Sequence, residues 1–426
     1  MTERKARPRI YYGWHVLSVL TAASFVGAGS SQVFFGAMLL PITDDLGWSR
    51  SAIAGAVTAG TFVGGLSQPV TGALADRYGT RVMTSFALVV LALAFFGMAS
   101  MNQVWHLFVT YIVGRGITMA AISGVVPRTA AVNWFRRMRG RAMGFVNTAP
   151  ALGSAVLALT GRGFVGAGTD WRTVFVVFGI AALAMVPLAA VVLRRRPEDM
   201  DLLPDGDTPA DDEPGSAQRS AAAPEASWSL AEARRTPALW FITFGLFTGA
   251  ASTGAVGFHM VAYFTDRGIT DSISVVALSA FAFSGAISSV AWGFLTERFS
   301  ERLLAVGAVA MGALVTLAFT GVTTGAAAIA VAMLYGFALR GEGSLLNIIL
   351  AQYYGRESFG TIAGFVSPIQ MVGLSIGPAA AALAFEATGS YNIVFVSSSA
   401  LLASAALGLW LARRPALSAI EQAATV

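Results

Sequence analysis

Twelve apolar runs, most of them 20 to 28 residues long, take up nearly all of this sequence. They lie at 14–40, 50–74, 81–100, 104–127, 141–160 and 172–193, then at 238–264, 273–295, 303–321, 325–350, 361–385 and 391–412. About 20 apolar residues suffice to cross a bilayer as a helix. Within lipid the backbone must satisfy its own N–H and C=O groups, which leaves helices as the structure for such runs. The expected fold class is therefore an all-α membrane protein with twelve transmembrane helices. Only 12% of the residues are charged, against about 25% in soluble domains, so a soluble globular enzyme is excluded.

Charge placement sets the orientation. Of the 28 basic residues, 22 fall at one set of run ends, including Arg4, Lys5, Arg7, Arg9, Arg77, Arg81, Arg136, Arg137, Arg139, Arg141, Arg194, Arg195, Arg196, Arg298, Arg302, Arg356, Arg413 and Arg414. Arg50, Arg162, Arg172 and Arg267 fall on the other side. Basic loops mark the cytoplasmic side, so both termini are expected inside a multi-pass protein of the cytoplasmic (inner) membrane. Because this charge is dispersed over separate loops, nucleic-acid binding is not expected. The chain has no cysteine, and His15, His106 and His259 have no ligand spacing, so neither a metal nor another cofactor is expected. The first run is too long for a cleaved signal peptide.

The organisation expected is an N-terminal six-helix bundle (1–193), a cytoplasmic linker (194–236) and a C-terminal six-helix bundle (237–426). The linker holds ten of the 23 acidic residues and five prolines. With nothing to bury, it is expected to be mostly disordered. Near its end Ser229-Leu230-Ala231-Glu232 has capping-box spacing, which predicts a short amphipathic helix at the membrane surface before Pro237.

The two halves repeat. Gly72-Ala73-Leu74-Ala75-Asp76-Arg77-Tyr78-Gly79-Thr80-Arg81 corresponds to Gly293-Phe294-Leu295-Thr296-Glu297-Arg298-Phe299-Ser300-Glu301-Arg302, displaced by 221 residues. Gly140–Gly153 corresponds to Gly360–Gly373 at a displacement of 220. Agreement between separate matches points to a duplicated six-helix unit, with a pathway between the halves.

The Gly72–Arg81 segment resembles the signature loop of the major facilitator superfamily. That resemblance implies two pseudo-symmetric six-helix bundles, and a cytoplasmic charge network of Gly72, Asp76, Arg77, Arg81, Glu297 and Arg298 acting as a conformational gate. Tyr12-Gly13-Trp14, Asn133–Gly144 and Trp228–Pro237 resemble segments of bacterial monocarboxylate-transporter-like proteins and of the related oxalate/formate exchangers. The implied function is secondary transport of a small organic anion, a monocarboxylate or related carboxylate, by alternating access. A proton or a counter-anion would be the coupling partner, and drug or metabolite efflux is the alternative. The chain would act as a monomer, without catalytic residues. The site residues of those relatives do not carry over. The eighth run has neither their Asp nor their Arg, Gln32 is the polar group nearest to a first-helix Lys, and Gln370 stands in the eleventh run where the exchanger has Lys.

Ionisable groups at membrane depth are costly and usually functional. Here they are Arg115, Arg340, Glu342 and, nearer the outer side, His259. Arg115 follows Tyr111 as Arg340 follows Tyr335, making the arginines approximate repeat mates and a possible bidentate clamp for a carboxylate. Each could instead bond a neighbouring helix. Residues two apart on a helix point roughly 200° apart, so Arg340 and Glu342 are not expected to share a face. Glu342 either pairs with another helix or carries the coupling proton. His259 ends a polar line with Thr248 and Ser252 and is both a substrate and a proton candidate. Asn147, Asn347, Gln32 and Gln370 complete the expected substrate contacts.

Overall fold

The computed structural model describes residues 11–206 and 228–415, and those residues are helical apart from short connections. Chain contacts divide the protein into two compact units, Met1–Pro224 and Glu225–Val426. The basic residues Arg4, Lys5, Arg7 and Arg9 and the linker stretch 207–227 lie outside the described residues.

In the first unit, α1 (Tyr12–Gly27) and α2 (Gln32–Leu46) form the first crossing. It is interrupted at Ala28–Ser31: Ser31 is extended (φ −72°, ψ 154°) and its hydroxyl accepts from the Phe34 amide at 3.2 Å. α3 (Arg50–Leu66) leads into α4 (Gln68–Ala99), and within α4 the backbone leaves helical geometry at Gly79 (φ 80°, ψ 166°). That glycine is the corner between the second and third crossings, at a φ that a side chain disfavours. α5 (Val104–Ile117), a π turn at Thr118–Ile122 and α6 (Val125–Trp134) make the fourth crossing. α7 (Arg139–Gly166) and α8 (Trp171–Val192) are the fifth and sixth.

The second unit begins with α9 (Leu230–Ala233). α10 (Pro237–Asp266), α11 (Asp271–Leu295), α12 (Glu301–Ala318), α13 (Gly325–Tyr354), α14 (Phe359–Thr388) and α15 (Asn392–Leu411) then make crossings seven to twelve. Several helix starts are set by short polar side chains that accept an otherwise orphaned amide. Ser49 accepts from Ala52 N (3.2 Å), Asp170 from Arg172 N (2.9 Å) and Thr324 from Ala327 N (3.3 Å).

Eleven helical stretches among the described residues are each long and apolar enough to cross a membrane. The second crossing is not among them because α3 and the first turns of α4 share it. Leu159 and Phe258 are each 76% exposed on their helices, as fits side chains that face hydrocarbon.

The duplication read from the sequence reappears in the packing of each unit. In the first, crossings 1 and 5, 2 and 4, and 3 and 6 are the main partners; in the second, 7 and 11, 8 and 10, and 9 and 12. Lipid removes the hydrophobic drive for helix association, so close approach over small residues does that work. The repeat mates Gly153 and Gly373 sit at equivalent contacts. A methyl at Gly153 would lie 3.0 Å from the Phe25 backbone, and one at Gly373 would collide with the Phe247 carbonyl.

The linker departs from expectation in its first part. Residues 194–206 are ordered against the arginine-rich end of the first unit. The Arg194 carbonyl accepts from Thr80 Oγ1 (3.2 Å) and Trp134 Nε1 (3.3 Å), and Arg195 donates to the Asp76 carbonyl. Asp205 accepts the amides of Arg136, Arg137 and Met138 at 3.0, 2.7 and 3.2 Å, just ahead of α7. A polar segment needs no core of its own when a neighbouring surface offers it hydrogen-bond partners. The predicted helix after the linker forms as α9, with Ser229 and Glu232 as a reciprocal capping box.

Candidate functional site

Arg115 lies near the middle of the fourth crossing, on α5. Its Nε donates to Thr61 Oγ1 of α3 at 3.5 Å. The helices approach closely here because Gly60 and Gly64 present no side chain: a methyl at Gly60 would lie 2.8 Å from the Tyr111 ring and 3.1 Å from Arg115 Cβ. Tyr111 is buried, its ring is edge-on to Phe35 at 4.3 Å, and among the described residues its hydroxyl has no hydrogen-bond partner.

Arg340 occupies the matching place on α13 in the second unit. A methyl at Gly285 of α11 would lie 2.7 Å from Arg340 Cβ and Cγ. Gly60 and Gly285 are 225 residues apart, the same displacement as the two arginines. Each arginine thus packs on a glycine of the helix beside it. Arg340 is exposed, its guanidinium lies over the Phe281 ring at 5.5 Å, and Phe281 in turn stacks on Tyr335 at 5.7 Å. The Tyr335 hydroxyl is hydrogen-bonded to Ser252 at 2.8 Å. Among the described residues, neither arginine has a carboxylate partner.

Glu342 points elsewhere. It is 2% exposed, and among the described residues its Oε1 has no hydrogen-bond partner. Its carboxyl group rests on Gly249 of α10, where any added methyl would collide with it. Arg340 faces α11 while Glu342 faces α10, as their two-residue spacing requires. Gly343, one residue further on, faces α14: a methyl there would lie 3.6 Å from Gln370 Nε2. Asn347 turns back on its own helix, donating from Nδ2 to the Gly343 carbonyl at 2.6 Å.

His259 is bound on both nitrogens. Nε2 lies 3.1 Å from the Pro378 carbonyl and Nδ1 3.0 Å from the Tyr391 hydroxyl. A carbonyl can only accept, so Nε2 carries the hydrogen, and in the neutral ring Nδ1 accepts from Tyr391. The polar line on α10 is spent within the unit: Thr248 bonds its own helix carbonyls, Ser252 bonds Tyr335, and His259 ties to α14 and Tyr391. Gln32 is exposed as the first residue of α2, just after the break, and Asn147 is half-buried on α7. Phe34 and Phe35 are buried against Phe175, whereas Phe283 is 67% exposed.

The gate residues fall at the arginine-rich ends. Gly72, Asp76 and Arg77 are helical in α4, and Arg81 lies just past the Gly79 corner. Arg77 and Arg81 are exposed, and the Asp76 carbonyl accepts from Arg195. Glu297 and Arg298 occupy the turn after α11, with Arg298 exposed. No cluster of three or more potential metal ligands occurs among the described residues.

One ionisable group escaped the sequence reading. Arg128 follows directly on the fourth apolar run, which stops at 127, and helix continues past it to Trp134. Arg128 therefore lies inside the crossing, half-buried, with its Nε unpartnered among the described residues. The signal was available in Val125–Trp134, whose buried Val126, Ala130 and Trp134 continue a helical face past the charge.

Comparison with known proteins places this architecture. The family profile described as Major Facilitator Superfamily matches residues 20–378. The chain is 24% identical over 303 residues to the agnestins efflux protein AgnL12 of Paecilomyces divaricatus, covering 70% of this chain and 63% of that one. It is 24% identical over 296 residues to the oxalate:formate antiporter of Oxalobacter formigenes, covering 66% of this chain and 62% of that one. The chain thus spans less than two thirds of the length of either relative. The proton:xylose symporter XylE shares the fold at a TM-score of 0.73 with 15% identity, over 94% of this chain and 95% of that one.

Proposed function

The chain belongs to the major facilitator superfamily, and on that footing we propose that it moves a small organic anion, a monocarboxylate or related carboxylate, across the cytoplasmic membrane. Transport is by alternating access and is coupled to protons. The two arginines carry this reading: repeat mates at mid-crossing, each seated on a glycine and neither neutralised by a carboxylate among the described residues. An uncompensated cation at membrane depth is expensive, and a carboxylate cargo supplies the missing charge with matching bidentate geometry. The relative named for oxalate and formate carries two such anions.

Glu342 supplies the coupling group. A buried carboxyl with no cation beside it among the described residues bears its full desolvation cost when ionised, so gain and loss of a proton there changes the stability of the surrounding packing. Tyr111, Tyr335, Gln32, Asn147, Asn347 and Gln370 line the anion's path or orient the arginines, and Asp76, Arg77, Arg81, Glu297 and Arg298 form the cytoplasmic gate that closes one state. His259, satisfied on both nitrogens, holds α10 to α14 and Tyr391 in this reading.

Two other cycles fit the same scaffold. Exchange of two anions is supported by the antiporter relative, and efflux by the relative named for it. Uptake of a labelled carboxylate panel into proteoliposomes, with and without an imposed pH gradient, separates them. Proton coupling gives accumulation that collapses without the gradient. Uptake that requires unlabelled anion on the far side establishes exchange, and accumulation of lipophilic cations with no carboxylate uptake establishes efflux.

A further inference from the structure

Away from the mid-crossing arginines, the second unit carries another pair of cations. The capping box of α9 fixes the approach to α10: Glu232 Oε2 accepts from Ser229 N and Ser229 Oγ, both at 2.7 Å. The chain then runs through Arg234 and Arg235 into Pro237. Trp240, one turn into α10, donates from Nε1 to the Arg234 carbonyl at 2.9 Å. The Arg234 guanidinium lies over the Phe365 ring of α14 at 5.3 Å, and Phe365 stands edge-on to Trp240 at 6.2 Å. Ala231, Arg234, Arg235 and Trp240 surround an open hollow of about 300 Å³.

Both arginines are exposed, and neither guanidinium has a hydrogen-bonded acceptor among the described residues. The nearest acid, Glu232, is turned toward Ser229, whose amide and hydroxyl hold its carboxyl below the usual range, with Arg235 adding attraction. Trp240 is 47% exposed, and Phe244, one turn deeper on the same face, is 37% exposed. Two cations therefore sit where α10 enters the bilayer, beside an interfacial tryptophan and above an apolar flank. That sequence of charge, amphipathic ring and apolar surface mirrors an anionic phospholipid from headgroup to acyl chain.

We propose that the hollow formed by Ala231, Arg234, Arg235 and Trp240 is a headgroup site for an anionic phospholipid of the adjacent leaflet. The arginines bind the phosphate, and the acyl chain follows Trp240 and Phe244. The site is separate from the transported anion and stands whether or not the cargo is a carboxylate. The apolar flank is what favours a lipid over a soluble phosphate.

The test is titration of the purified full chain in detergent with phosphatidylglycerol, and with phosphatidylcholine of the same acyl chains, read by native mass spectrometry. Phosphatidylglycerol should stay bound where phosphatidylcholine does not. Arg234→Gln with Arg235→Gln should weaken it by about 30-fold, as expected for two surface cations, whereas Lys at both positions should retain most of the binding. Ala231→Trp, which fills the hollow and leaves the charges, should also abolish retention, so the outcome does not hang on one variant's folding. Equal retention of the two lipids, or unchanged binding in the Gln and Trp variants, overturns the proposal. Displacement of the lipid by inorganic phosphate at matching concentration overturns it in favour of a soluble-anion site.

Discussion

At the scale of single residues, the clearest constraint is Gly249 beneath the Glu342 carboxyl. Gly249→Ala leaves no room for that group where it sits. Overpacking of this kind costs about 1–3 kcal/mol, and the variant should lose proton-driven uptake as well as several degrees of melting temperature. Glu342→Gln is close to isosteric and should keep the melting temperature, lose gradient-driven accumulation and retain anion counterflow. Wild-type dependence on the gradient in Glu342→Gln would remove Glu342 from coupling. Arg115, Arg340, Glu342 and His259 were legible in the sequence because charge in an apolar run stands out. Their surroundings were not. That Gly60 and Gly285 seat the arginines depends on which helices approach, which no local pattern encodes. Arg128 was missed because a charge lowers local hydropathy and so imitates the end of a run. The partners of His259, Pro378 and Tyr391, are more than a hundred residues away and so were not legible from its local sequence.

At the scale of elements, runs of about 20 apolar residues marked eleven crossings directly, since hydropathy sums over a helix, and the second is shared by α3 and the first turns of α4. The breaks at Ala28–Ser31 and Thr118–Ile122 were not foreseen; both lie within runs that read as uninterrupted. The second break packs on the last turn of α1, where Ser24 Oγ donates to the Ile122 carbonyl at 2.7 Å. The linker's composition concealed its docking, which rests on side-chain-to-backbone bonds. Asp205→Ala removes the acceptor for three amides ahead of α7. Like the loss of a helix cap, it should cost about 1 kcal/mol, and it should speed protease cleavage at 194–206; an unchanged cleavage rate counts against the docked linker. At the opposite end of the unit, Asp45 of α2 meets Arg172 Nη1 of α8 at 2.7 Å, and that hydrogen bond holds the Asp45 carboxyl below its ordinary value. A depressed carboxyl stabilises the fold above its unfolded pKa and ceases to as pH falls through the folded value. Asp45→Asn should therefore lower the melting temperature slightly near neutrality, and the difference should fade below about pH 4. A difference that persists unchanged in acid would assign the effect to packing.

At the scale of the whole molecule, the duplication ties sequence to function. Displacements of 220 to 225 residues recur in the signature segments, in the helix pairings of the two units and in the seating of Arg115 and Arg340. In the proposed reading the anion's path uses a cation from each half, so neither arginine should be dispensable. The most direct test is the KM for carboxylate uptake in proteoliposomes bearing wild type, Arg115→Gln or Arg340→Gln. Losing one charge-assisted contact, worth about 1.5–3 kcal/mol, should raise KM by about 10- to 150-fold in each variant, with Lys at either position recovering part of the loss. If both Gln variants transport the carboxylate with unchanged KM and rate, the arginines do not hold the anion and the account of this protein as an organic-anion carrier is wrong.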